Sequence, residues 1–330
     1  LRLTLVTGNA PGNDMRYYNE RVEASRNFAN KMWNASRFIL MNLDSVDVEE
    51  PDQADLTLAD RWIISRANTV AKDTTENMEK FELGIAVSKV HDFIWDEFCD
   101  WYIEIAKQRI YDREKNPKGA SCALWVLRET LKNALKLMHP FMPFVTEEIY
   151  HALSDNDDFL MLSNWPVCDE DKNDPEAEKF MNQVMEMVRG IRAVRSEMDV
   201  KPARKTNVYI ETADKELMAD ISAMGESLLP LMRANSVGEG TGGEGMVSVV
   251  FSGGTVYLPL AELVDVQAEI ARLTKEKEKL EKELKRSAGM LSNERFLSKA
   301  PESKVLEEKE KQARYQEMMD QVTKKLEDLR

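Results

Sequence analysis

The sequence predicts a mainly α-helical protein: an antiparallel helical bundle, a small α+β unit and a C-terminal antiparallel helical hairpin of the coiled-coil kind. Three observations predict it. Apolar residues recur at helical spacing through five segments joined by short links, the pattern of an antiparallel bundle. Between Thr206 and Leu258 the period drops to two and glycines punctuate the chain. From Leu263 onward the apolar residues fall in heptads. The expected segments are 1–13, 14–175 for the bundle, 176–260 for the α+β unit and 261–330 for the hairpin. A chain of 330 residues, 43% hydrophobic and 32% charged, is long enough for two or three units with cores of their own.

Leu1 to Gly8 alternates as a short strand and breaks at Gly8-Asn9-Ala10-Pro11-Gly12. Helical periodicity runs from about Asp14 to Leu43. Thr57-Leu58-Ala59-Asp60 forms a capping box, with Asp in the place of Glu or Gln, that opens a helix through about Lys80. Further helices span about Leu83 to Tyr111 and Ser121 to Met138, the latter ended by Pro140, and one begins at Pro143, a favoured first helical position. The acidic stretch from Ser154 to Pro175 is a surface connector in which Phe159 to Leu162 and Trp165 dock on the bundle. A helix from Glu176 to Glu197, a strand from Thr206 to Glu211, a helix from Lys215 to Met232 and a hairpin over Gly253-Gly254 make the α+β unit.

The terminal segment carries the clearest pattern. With position a at Leu263, the a and d residues are Leu263, Val266, Ile270, Leu273, Lys277, Leu280, Leu284, Ser287 and Leu291, apolar in seven of nine. A second run, Val305, Glu308, Gln312, Tyr315, Met319, Val322, Leu326 and Leu329, is apolar in six of eight. Ser292 to Pro301 interrupts both register and helix between them, so the two seams fold back on each other.

Composition excludes several classes. No stretch approaches the roughly 20 uncharged residues of a membrane span. Cys99, Cys122 and Cys168 form no CxxC pair, and the 3 histidines lack metal-ligand spacing, which disfavours a disulfide framework or zinc site and fits a reducing, cytoplasmic setting. Gly238 to Gly245 lacks the Lys and Ser/Thr of a phosphate loop. No nucleophile stands beside a histidine, so no catalytic constellation is expected.

The net charge of −14 speaks against a uniformly basic, nucleic-acid-coating surface, but the charge is patchy. Asp155 to Glu178 holds nine acids against Lys172. From Arg189 to Lys205 six bases face only Glu197 and Asp199. On the first long helix, Val22, Ala24, Phe28, Ala29, Met32, Trp33, Ala35, Ile39 and Leu40 share one side. Arg26, Asn27, Asn30, Lys31, Asn34 and Arg37 share the other, offering donors for phosphates and amides for base edges. A solvated face that happens to be basic is the plainer reading of the same pattern. The Trp95, Phe98, Trp101 and Tyr102 cluster reads as core packing rather than a base-stacking platform, and His139 as a helix-end hydrogen-bonding residue rather than a general base. Met198 to Lys205 is a candidate for phosphate contact. In the hairpin, the outer half from Arg272 to Lys304 carries ten bases against six acids.

Several strings carry a family resemblance. Gly8-Asn9-Ala10-Pro11-Gly12-Asn13-Asp14, Val22 to Lys31 and Trp33 to Phe38 resemble the segment after the KMSKS loop in valyl-tRNA synthetases. Leu58-Ala59-Asp60-Arg61-Trp62-Ile63 and His139 to Phe144 with Glu147-Glu148-Ile149 resemble the anticodon-binding bundle of the Val/Ile/Leu group. The terminal hairpin, with Asn293-Glu294-Arg295-Phe296 and Lys299-Ala300-Pro301 at its turn, is similar to the valyl C-terminal arm. Paired cysteines are absent where the isoleucyl relative carries a zinc module, which selects the valyl branch.

The resemblance implies a C-terminal piece of a bacterial-type ligase that is cytoplasmic, monomeric and uses ATP and Mg2+. Residues 1–13 would then end the catalytic region. The HIGH and KMSKS motifs are not in this sequence, so the piece alone is expected to bind valine tRNA without catalysis or cofactor. It assigns Arg26, Asn27, Asn30, Lys31, Asn34 and Arg37 to the anticodon side and Lys282, Lys285, Arg286 and Arg295 to the arm's backbone contacts, to which the local charge pattern adds Arg192, Arg195, Lys201 and Arg204 of the basic helix and its end. The alternative from another class is a coiled-coil protein-interaction module that binds no RNA.

Overall fold

The computed structural model describes residues 1–7, 16–154, 159–263, 266–293 and 302–328. Its bundle consists of α2 (Asn19–Leu43), α3 (Leu58–Glu79), α4 (Leu83–Asp92), α5 (Ile103–Tyr111), α6 (Pro117–Met138) and α7 (Pro143–Leu153), preceded by a short α1 (Arg2–Val6). Arg2–Val6 is therefore helix where alternation predicted a strand. Over five residues the two periods are hard to tell apart, and no described strand pairs with this segment. The segment satisfies its own backbone, Leu5 N–H donating to Leu1 O and Thr7 N–H to Leu3 O, and buries Leu3 on the bundle. The glycine-rich string after it lies outside the described residues.

Helix α3 starts as the sequence predicted. Thr57 Oγ1 accepts from Asp60 N–H, while the Asp60 carboxylate accepts from Thr57 N–H at 2.9 Å. Asp60 is 0% exposed, and its charge is met by Arg109 Nη1 at 2.6 and 2.8 Å and by Tyr102 O–H at 2.6 Å. One buried carboxylate thus ties together α3, α5 and the segment between α4 and α5. That segment, Phe93–Tyr102, is π-helical, so the predicted helix from Leu83 to Tyr111 is continuous but widened in its middle. Of the predicted cluster, Phe98, Trp101 and Tyr102 are buried there, and half-buried Trp95 packs against the same core.

The connector is fixed by side chains reaching into it. Asn68 Nδ2 donates to Asp169 O at 2.7 Å, Trp165 Nε1 donates to Thr75 Oγ1 at 2.8 Å, and Ser65 Oγ accepts from Asp174 N–H at 2.9 Å. Asp174 then caps α8 (Pro175–Glu197), accepting from Ala177 N–H. Helix α8 packs on α3 on one side and on the sheet on the other. Gly190 permits the second contact, because a Cβ there would stand 2.3 Å from Val249 Cγ1. The bundle and the sheet consequently share one apolar core.

The sheet has four strands in the order β2-β1-β4-β3: β1 (Thr206–Glu211), β2 (Ala234–Glu239), β3 (Met246–Phe251) and β4 (Gly254–Pro259). Strand β2 runs parallel to β1, and β4 is antiparallel to both β1 and β3. The crossover between β1 and β2 is two helices, α9 (Lys215–Ala223) and α10 (Gly225–Met232), rather than the single predicted helix. Gly225 opens the second, and Pro230 lies inside it. The β3–β4 turn is Ser252-Gly253, one residue earlier than predicted. Gly254 has φ +150, and a Cβ there would meet Glu211 O at 2.3 Å.

From the sheet, α11 (Leu260–Leu263) leads to the hairpin of α12 (Val266–Leu291) and α13 (Glu302–Asp328). The predicted seam is the observed one: Leu273, Leu280, Met319, Val322 and Leu326 are buried, with Ile270, Leu284 and Tyr315 packed against them. Ser287, at an a/d position, is also buried, and its Oγ donates to Glu308 O at 3.4 Å.

Candidate nucleic-acid interface

Helix α2 lies against the π-helical segment, α6 and α7. Phe28, Met32, Ala35, Ser36 and Ile39 are buried, a stripe one helical row narrower than the apolar side read from the sequence. Trp33, placed on that side, is 43% exposed, and Ala24 is exposed too. The narrower stripe leaves a broad outer face. Arg26, Asn27, Asn30, Asn34 and Arg37 are all exposed on it. None of the five makes a side-chain hydrogen bond or ion pair within the protein among the described residues.

Lys31 belongs to the predicted set by sequence but not by environment. Its Nζ donates to Asp100 Oδ1 at 2.6 Å and stands 3.9 Å from the centroid of the Trp95 ring. Both contacts turn it toward the π-helical segment, because Asp100 and Trp95 sit five residues apart where one turn of a π-helix brings them together. Phe28, His91 and Trp95 pack in series beside it, with ring centroids 4.3 Å apart for the first pair and 5.9 Å for the second. Lys31 is thus a positioned, internally neutralised charge at the edge of the polar face.

The second predicted set divides. Arg195 is 5% exposed, with Nη2 donating to Arg204 O. Arg204 in turn donates to the Glu262 and Ala261 carbonyl oxygens. These two arginines link α8, the residues before β1 and α11 by giving donors to backbone carbonyls, which sets them apart from the freely exposed cations of the predicted set. Arg192 and Lys201 are exposed. Arg192 Nε donates to Leu231 O at 3.2 Å, and its guanidinium lies 5.5 Å from the centroid of the Trp101 ring.

On the hairpin, Lys282, Lys285 and Arg286 are exposed, and Arg286 pairs with Glu283 at 3.3 Å. Arg295 lies outside the described residues. His139 Nδ1 is 2.8 Å from Thr146 Oγ1, the helix-end bond expected of it.

Two further cations lie outside the predicted site residues. Arg189 stacks on the same Trp101 ring as Arg192, at 5.6 Å. Arg233 ends α10 in the left-handed conformation, φ 53, and donates through Nη1 to Pro202 O. Arg189 lay within the basic stretch, whereas Arg233 is 28 residues beyond it and nothing local marks it.

Residues 60–210 match the family described as anticodon-binding domain of tRNA ligase, and residues 265–330 match the valyl tRNA synthetase tRNA binding arm. The whole chain is 49% identical to the valine–tRNA ligase of Clostridium perfringens and covers 38% of that protein. It is 47% identical to that of Clostridium tetani and 37% identical to that of Bacillus subtilis, covering 38% of each. The chain therefore spans little more than a third of the curated relatives it matches.

Proposed function

Taking as premise that the chain belongs to the valyl-tRNA synthetase family, we propose that it binds valine tRNA. The outer face of α2 receives the anticodon side of the RNA, and the hairpin leans on its backbone. One observation carries the reading. Arg26, Asn27, Asn30, Asn34 and Arg37 form an exposed polar face without internal partners among the described residues, on a chain that has acids in surplus to pair with. Arginine forks suit phosphate oxygens, and asparagine amides suit base edges.

The proposed division of labour follows segments 14–175 for the anticodon side, 176–260 as the spacer and 261–330 as the arm. Exposed Lys282, Lys285 and Arg286 supply the arm's backbone contacts. Valine activation with ATP and Mg2+ is assigned to the full-length cytoplasmic ligase, which acts as a monomer; neither HIGH nor KMSKS occurs in this sequence. A coiled-coil module that binds only protein is the less supported reading, because residues 265–330 match a tRNA-binding arm.

A filter-binding titration with valine tRNA and a non-cognate tRNA at low salt tests the proposal. Charge reversal at Arg26 with Arg37 is expected to narrow the preference between the two RNAs. Reversal at Lys282 with Arg286 is expected to weaken both alike. Absence of binding to either RNA by the unaltered chain would sink the reading.

A further inference from the structure

Two sets of arginines in this protein contrast. Arg61, Arg66, Arg109, Arg128 and Arg286 each pair with a carboxylate. Arg189, Arg192, Arg195 and Arg233 are close together, yet none has an ion pair with a carboxylate among the described residues. Their closeness is electrostatic as well as geometric. Burial and then the Arg233 charge lower the pKa of both Arg192 and Arg195. Gathering like charges costs stability, and a chain of net charge −14 has carboxylates available to relieve it.

The geometry keeps the group assembled. Arg189 and Arg192 lie over the Trp101 ring at 5.6 and 5.5 Å, a packing that holds a guanidinium by its face. Arg192 is further fixed by Leu231 O, and Arg233 by Pro202 O. Arg195 stands behind them, buried, with Nη1 lacking any partner among the described residues. Arg189, Arg192 and Arg233 remain exposed in front of it. The group also neighbours the polar face of α2. Asp100, the partner of Lys31, acts on the Arg192 charge as well, and Trp101 follows Asp100 in the π-helical segment.

We propose that Arg189, Arg192 and Arg233, backed by Arg195, form a phosphodiester-binding site that continues the α2 face across Trp101 and takes backbone phosphates of the same RNA. The site rests on the tRNA reading and adds to it a contact made by the α8–α10 junction, separate from the arm. As a backbone-phosphate site it should serve valine and non-cognate tRNA alike.

The test is a salt titration of tRNA binding by the whole chain, with valine tRNA and a non-cognate tRNA. A variant carrying R189Q, R192Q and R233Q is expected to bind both RNAs about 10–100-fold more weakly at low salt, with the slope of log affinity against log salt shallower by about two to three. A variant carrying R189K, R192K and R233K should keep most of the slope, since it keeps the charges. Single R233Q, at an exposed position, gives the same reading at about one unit of slope if the triple variant folds poorly.

Unchanged affinity and slope in the glutamine variants, with binding by the unaltered chain intact, overturns the site and leaves the α2 reading standing. No binding by the unaltered chain overturns the tRNA reading and the site with it.

Discussion

In the bundle, α3, α5 and the π-helical segment meet around one buried carboxylate, whereas the helices of the C-terminal hairpin meet along a narrow apolar seam. Asp60 receives Arg109, Tyr102 and the Thr57 backbone, and a large apolar core continuous with the sheet surrounds the group. The hairpin seam is a separate cluster of five buried residues, interrupted by Ser287. Polar specificity inside a thick core fixes how helices are arranged. A thin seam fixes only that two helices run together and allows them to part without disturbing the rest. That difference suits the proposed roles, a rigid face for the anticodon side and an arm that leans on the RNA backbone.

The comparison breaks first at Asp60. Replacing it with Ala leaves Arg109 as an unpaired, largely buried cation and removes the carboxylate half of the α3 capping box. The expected cost is about 3–5 kcal/mol, the usual range for stranding one partner of a buried pair. Urea unfolding monitored by near-ultraviolet circular dichroism measures it. A loss below about 1 kcal/mol would mean that the apolar core alone orders the bundle.

Leu280→Ala tests the other side. Truncating a seam leucine should cost about 2–3 kcal/mol, confined to the hairpin. Hydrogen exchange is expected to accelerate across α12 and α13 while the amides of α3 and α6 keep their protection. Equal acceleration in both regions would show that the hairpin and the bundle unfold as one unit.

Asp100→Asn produces a smaller change at the edge of the bundle. The Lys31–Asp100 pair is partly exposed, with side-chain exposures of 22% and 52%, so stability should fall by less than about 1 kcal/mol. Releasing the Lys31 charge is instead expected to raise affinity for valine and non-cognate tRNA alike by about 3-fold at low salt. A loss of affinity would show that the ion pair orients Lys31 toward the RNA.

How much of this was legible follows from how local each determinant is. The Thr57–Asp60 capping box, the heptads from Leu263 and the alternation from Thr206 to Glu211 are local, and each element forms where its pattern lies. Strand β2 was missed because Ala234-Asn235-Ser236-Val237-Gly238-Glu239 has little strand preference; its pairing with β1 forms it. The π-helical widening leaves no trace in apolar spacing. At the candidate interface, residue type and face located the exposed members of α2. They could not show that Lys31 is held by Asp100, or that Arg195 and Arg204 spend their donors on carbonyls. Those partners come from 69 residues away for Lys31 and 57–58 away for Arg204. Arg233 joins Arg192 and Arg195 only through the α9–α10 crossover.

The smallest effect concerns the joint between the two regions. Glu262 in α11 accepts from Asn207 N–H at 2.6 Å, Asn207 Nδ2 at 2.8 Å and Thr206 Oγ1 at 3.0 Å. The Asn207 backbone bond, with help from the two side-chain donors, holds its pKa below the ordinary carboxylate value. A carboxylate whose folded pKa is depressed stabilises the fold above its unfolded value of about 4.3, and the contribution disappears as pH falls through the folded value. Glu262→Gln keeps the shape and removes the titration. The melting temperature of the unaltered protein should therefore fall toward that of the variant as pH drops from about 6 to about 3, with the difference at neutral pH worth less than about 1 kcal/mol because the group is near solvent. A difference that is constant across that range would mean the α11 joint is held by the Arg204 bonds to Ala261 and Glu262 carbonyls, which do not titrate, and that the hairpin is tethered to the sheet independently of pH.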